Sequence, residues 1–209
     1  MALRIYAIML VMGVATAAQA APQCAPSASV PSRNYPGAKS IVTSNNLILP
    51  TGKAIPADGQ QLILRGRVLD SECAVVSEAI IELWQVSPFG RWLLAESDDL
   101  ATPNPVFAGA GRSYTDIDGS FSFITAFPAP ADAKSAPYVN IRVKANGLPV
   151  YSSAFYFAND ARNDADVGYK KLPAKARDDV TIHMQPGADG ALIGTIQVVL
   201  KGKAPYRSY

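Results

Sequence analysis

The stretch APYVNIRVKA, residues 136–145, alternates with a period of two: Val139, Ile141, Val143 and Ala145 fall on one side, Asn140, Arg142 and Lys144 on the other. That is the pattern of a half-buried strand with a core face and a polar face. Working outward, comparable β-branched and aromatic segments recur at QLILRGRVL (61–69), AIIELWQV (79–86), SFSFIT (120–125), VYSSAFYF (150–157), VTIHM (180–184) and LIGTIQVVL (192–200). Turn-forming runs separate them: SPFG, DIDG, FPAPAD, NGLP and PGADG. No window keeps a helical period beyond a turn or two. The reading is all-β: a β-sandwich of about eight strands with an extended N-terminal arm. The final strand, carrying Ile193, Ile196, Val198 and Leu200, is expected to pack centrally.

The chain has 209 residues, 49% hydrophobic and 17% charged, which suits one globular domain with a substantial core. Net charge is +2 with no basic block, so nothing points to nucleic acid. Residues 1–20, MALRIYAIMLVMGVATAAQA, place one cation (Arg4) before an apolar run and end on small residues, the pattern of a secretory signal peptide. The alternative is an uncleaved anchor. The run is short for a membrane span, and no stable span is expected in the mature chain. Cleavage would leave 18 basic and 17 acidic residues and place the protein in the periplasm or outside the cell. Residues 21–60 hold six prolines and no sustained period, an extended arm. The body spans 61–203, and 204–209 reads as a loose or partner-contacting tail. Two cysteines, Cys24 and Cys73, in an oxidising compartment favour a disulfide over a reactive thiol or metal pair. Closing a loop of that size is worth about 4 kcal/mol in the chain-entropy picture.

Several segments in order resemble the intradiol ring-cleavage dioxygenases: LRGRVLDSECAVVSEAIIELWQVSPFGRW (64–92), GRSYTDIDGSFSFIT (111–125), FYFANDARNDAD (155–166) and TIQVVLKG (195–202), with the arm 34–62 similar to the lead-in of secreted members. The resemblance implies that family's β-sandwich, and Fe(III) held by two tyrosinates, two histidines and a hydroxide for opening catechol rings. Hard ferric iron suits such anionic oxygen donors. At the positions matching the four ligands stand Trp92, Ala131, Asn140 and Arg142. A family arginine before the histidine pair falls at Pro137 or Ala136, and a glutamine before FYF is Ala154. Tryptophan and alanine offer no ligand atom, and a guanidinium repels a trivalent cation. No metal, cofactor or catalytic residue is therefore expected.

Other chemistry finds little support. The mature chain has one histidine, His183, next to Met184; strand neighbours point to opposite faces, so the two cannot share an ion. Tyr138 sits near the matched positions, while Tyr114, Tyr151 and Tyr156 read as packing residues. One histidine excludes a Ser-His-Asp set, and no Gly-rich phosphate loop occurs. DARNDAD (160–166) and DIDG (116–119) lack calcium-loop spacing. Three readings follow. The first is a secreted, non-catalytic binding or assembly module, with Trp92, Tyr138, Asn140, Arg142 and Ala154 lining a pocket for a small aromatic acid or sugar, or else filling an abandoned cavity. The second is an active catechol dioxygenase with an atypical metal site. The third is a structural subunit of an envelope or extracellular complex, with a protein partner or second copy engaging the arm and tail. Some relatives pair an iron-bearing chain with a sister lacking iron.

Overall fold

The computed structural model describes residues 23–49, 57–92 and 107–205. The expected leader (1–20), most of the expected tail, part of the expected arm and residues 93–106 lie outside the described residues.

Eight strands form one strongly curved, nearly closed sheet: β1 (Gln61–Leu69), β2 (Ile80–Trp84), β3 (Ala110–Tyr114), β4 (Ser120–Ala126), β5 (Tyr138–Lys144), β6 (Tyr151–Phe157), β7 (Thr181–Pro186) and β8 (Leu192–Val199), in the order β3-β2-β5-β6-β7-β8-β1-β4. The two halves face each other as a sandwich. Inward residues form one core: Leu62 and Leu64 from β1, Ile81 and Leu83 from β2, Phe123 from β4, and Val139, Ile141 and Val143 from β5 are fully buried. The alternation in β5 thus sets its inner face as expected. β8 lies between parallel β1 and antiparallel β7, so removing it would break both ladders. Among the described residues only short helices interrupt the strands, such as α1 (Val167–Lys170) and α2 (Ala174–Arg177). β3, whose sequence AGRSY carries little apolar patterning, is the strand that composition alone does not signal.

An open sheet leaves edges with unpaired amides, here β3 and β4. The arm closes that gap. Val42 bridges to Gly111 of β3 and Asn46 to Ile124 of β4. Arg112 N–H donates to the Ser44 carbonyl, Ile124 N–H to the Asn45 carbonyl and Leu47 N–H to the Ile124 carbonyl. Leu47 is fully buried between them. A side chain at Gly111 would run into the Ser44 carbonyl and Leu47 Cδ1, so a glycine is required for this approach. Upstream, the Cys24–Cys73 disulfide ties the arm to the loop after β1. Ser27 exchanges hydrogen bonds with Val199, and the Val30 carbonyl accepts from Ala154 N–H on the free part of the β6 edge. From there the arm crosses the outer face of β5. The face read as polar and half-open is consequently roofed, and Asn140 has no exposed surface.

Candidate functional site

The outward residues of β2, β5 and β6 stand in registered rows. Tyr138 lies opposite Tyr156; Asn140 lies between Trp84 and Ala154; Arg142 lies between Glu82 and Ser152. Over them runs arm segment 30–35, and Arg33 within it organises the site. The Arg33 amide donates to Asn140 Oδ1 (3.0 Å), and its carbonyl accepts from Trp84 Nε1 (2.7 Å). Asn140 Nδ2 donates to the Trp84 carbonyl (3.2 Å). Both ends of the Asn140 carboxamide are therefore committed to backbone.

The Arg33 guanidinium lies over the Tyr138 ring, 5.1 Å from its centroid, donates to Ser135 Oγ and pairs with Asp166 Oδ1 at 3.0 Å. Asp166 is fully buried, yet well satisfied. It caps α1 by accepting from Gly168 and Tyr169 N–H, and also accepts from Tyr156 Oη and Ala136 N–H. Burial pushes the Tyr138 phenol above its ordinary pKa, with Arg33 pulling partly back. Tyr156 is pushed well up by burial and then by Asp166. Both phenols stay protonated at neutral pH. Trp92, half-buried, packs tilted against Tyr138 (6.4 Å) and against Ile41, Trp84 and Ala110.

One row away, a separate network surrounds Glu82, which is fully buried. Lys144 Nζ (2.9 Å) and Arg112 Nη2 (3.1 Å) bond its Oε1; Arg142 Nη1 approaches Oε2 at 3.8 Å, and Tyr35 Oη donates to the same oxygen. Arg142 also lies over the Tyr35 ring, 4.7 Å from the centroid. Burial alone would raise the Glu82 pKa, but these cations hold it below the usual carboxylate range.

The structure thus brings together Trp92, Tyr138, Asn140 and Ala154, whereas Arg142 belongs to the Glu82 network. Ala131 sits half-buried in the β4–β5 turn, packed on the main core. His183 is exposed on β7, with Met184 turned the other way and partly buried. Tyr151 donates to the Ala28 carbonyl, anchoring the arm, and Tyr114 is exposed. The acidic runs are structural: Asp160 caps the 3-10 turn Ala161–Asp164 and pairs with Arg162, and Asp118 accepts from Ser120 N–H in the β3–β4 turn. Among the described residues no group of three or more His, Cys, Asp or Glu could hold a metal ion. Trp92 and Ala131 have no lone pair to give, the Asn140 oxygen is taken by Arg33 N–H, and Arg142 is cationic. This donor set does not fit Fe(III).

A family profile described as Dioxygenase matches residues 38–160. The chain belongs to the intradiol ring-cleavage dioxygenase superfamily. It is 35% identical over 136 residues to the protocatechuate 3,4-dioxygenase alpha chain of Burkholderia cepacia, covering 63% of this chain and 68% of that one. It is 36% identical over 70 residues to the beta chain from the same organism, covering 34% and 30%. Two solved structures share the intradiol fold. One is an intradiol ring-cleavage dioxygenase from Tetranychus urticae (TM-score 0.65, 17% identity, 88% of this chain and 98% of that one). The other is 3-chlorocatechol 1,2-dioxygenase from Rhodococcus opacus (TM-score 0.67, 16% identity, 85% and 73%). Arg33 and Asp166, which organise the intradiol-type site here, escaped the sequence reading. Arg33 lies in an arm without period, and Asp166 carried only the signature of a turn.

Proposed function

We propose that this chain is a secreted, non-catalytic intradiol dioxygenase-like module that binds or assembles rather than oxidises. The observation that carries this reading is Arg33. The chain's own arm lays a guanidinium on Tyr138 and occupies the Asn140 carboxamide oxygen with its backbone amide, where ligand side chains would have to gather. The cleft left for a ligand lies beside it, about 700 Å³ in volume, between Ser29–Arg33, Asp132–Ser135 and Val167–Leu172. Its surface is mostly apolar, with Arg33, Lys134 and Lys171 as cations and Asp132 as the acid. That combination favours a small organic acid with an apolar body. Secretion is supported by the leader-like residues 1–20 and by the Cys24–Cys73 bridge. Assembly with a partner chain is the second reading, favoured by the resemblance to both an alpha and a beta chain of one enzyme.

The test measures oxygen uptake by the mature protein with catechols, alongside calorimetric titration with benzoate. We expect no oxygen uptake, and benzoate binding that is weakened at least about tenfold in Lys134→Ala/Lys171→Ala. Catechol-dependent oxygen uptake would establish the active-enzyme reading instead. Equal benzoate binding by variant and wild type would refute the cleft.

A further inference from the structure

A second cleft, about 730 Å³, lies over β1, β8 and β7, away from the arm-covered face of β5. Register places Arg65 and His183 on either side of Thr195, one strand away each, with Arg67 beside Gln197 in the next outward row. All five are exposed. Arg67 is engaged with Asp118 of the β3–β4 turn. Among the described residues neither the Arg65 nor the His183 side chain has a hydrogen-bond or ion-pair partner. At the end where β7 begins, the turn Asp178–Val180 puts two exposed carboxylates on the rim. Asp179 is fixed there by accepting the Ala28 amide at 2.8 Å.

The charge layout selects the ligand. A phosphate or sulfate would suit the arginines but meet Asp178 and Asp179; a simple cation would suit the aspartates but meet the arginines. A neutral sugar lacks an aromatic platform, since among the described residues the one aromatic lining side chain, Phe155, is buried. A ligand with opposite charges at its two ends satisfies both walls. From the row of Arg65, Thr195 and His183 to Asp179 is two strand residues and two residues of 3-10 turn, about 10 Å along β7, and an extended tripeptide has about that reach. We propose that this cleft binds a short zwitterionic peptide, its carboxylate on Arg65 and Thr195 and its ammonium on Asp178 and Asp179. Gln197 lies within the same cleft to hydrogen-bond the peptide backbone. This site is independent of the arm-covered one and of the function proposed for it.

Titration of the full mature protein with trialanine, followed by amide chemical shifts, tests it. Shifts should centre on β1, β8 and residues 178–179, and N-acetyl-trialanine amide should produce none. Arg65→Ala, and separately Asp178→Asn/Asp179→Asn, should each weaken binding about tenfold or more. All are surface changes, and the carboxamide oxygen introduced at position 179 would still accept the Ala28 amide. No shifts with trialanine, equal shifts with the blocked peptide, or unchanged affinity in both variants would each overturn the proposal.

Discussion

Replacing Arg33 by alanine separates a clamped arm from one that merely rests on the sheet. The variant loses the ion pair to Asp166, the bond to Ser135 and the contact over Tyr138, while the backbone bonds to Asn140 and Trp84 remain. Stripping one partner from a fully buried pair costs about 3–5 kcal/mol. Two features reduce that here. Asp166 keeps four other donors, and the Arg33 side chain is 33% exposed, so part of its charge is already hydrated. About 2 kcal/mol is the resulting expectation, a fall of about 4–8 °C in Tm for a chain of this size. Calorimetry and urea unfolding measure it. An ultraviolet titration supplies the independent readout: without Arg33, the Tyr138 phenol should ionise at still higher pH, since the guanidinium is what lowers it. Arg33→Lys should recover the tyrosine titration in part but not the two-pronged contact. A stability change below about 0.5 kcal/mol, together with an unshifted tyrosine titration, would refute the clamp.

Leu47→Ala should cost about 3 kcal/mol, because the side chain is fully buried where the arm joins β3 to β4, and it should increase aggregation through the exposed edges; an unchanged urea midpoint would contradict this. Gly111→Ala should be destabilising by about 1–3 kcal/mol from the clash with the Ser44 carbonyl and Leu47, read in the same assay. Glu82→Gln leaves Lys144, Arg112 and Arg142 without their shared carboxylate and should cost about 2–3 kcal/mol at neutral pH. Because the folded Glu82 pKa is depressed, its stabilisation is present above the unfolded value, about 4.3, and fades as pH falls through the folded one; the acid limb of stability against pH should therefore be shallower in the variant.

The inner face of the sandwich was legible because burial imposes a period of two on β1, β5 and β8. β3 was legible only through the resemblance of residues 111–125 to a family segment and not from pattern, since its small and polar residues owe their strand state to partners on β2 and the arm rather than to composition. At the site, the sequence exposed what Trp92, Ala131 and Asn140 lack as donors, a property of single residues. It did not reveal that Arg142 would turn to Glu82, because that contact joins two strands far apart along the chain. Nor did it reveal Arg33 above Tyr138, a pairing across an even longer stretch of chain with no local signal. Polar contacts between a patternless arm and a sheet are set by tertiary register alone.

The most direct measurement is a ferric titration of the purified mature protein followed by visible absorption and metal analysis. We predict a colourless protein with no stoichiometric iron after desalting. One tightly held iron per chain, with a tyrosinate charge-transfer band that disappears in Tyr138→Phe, would contradict the account.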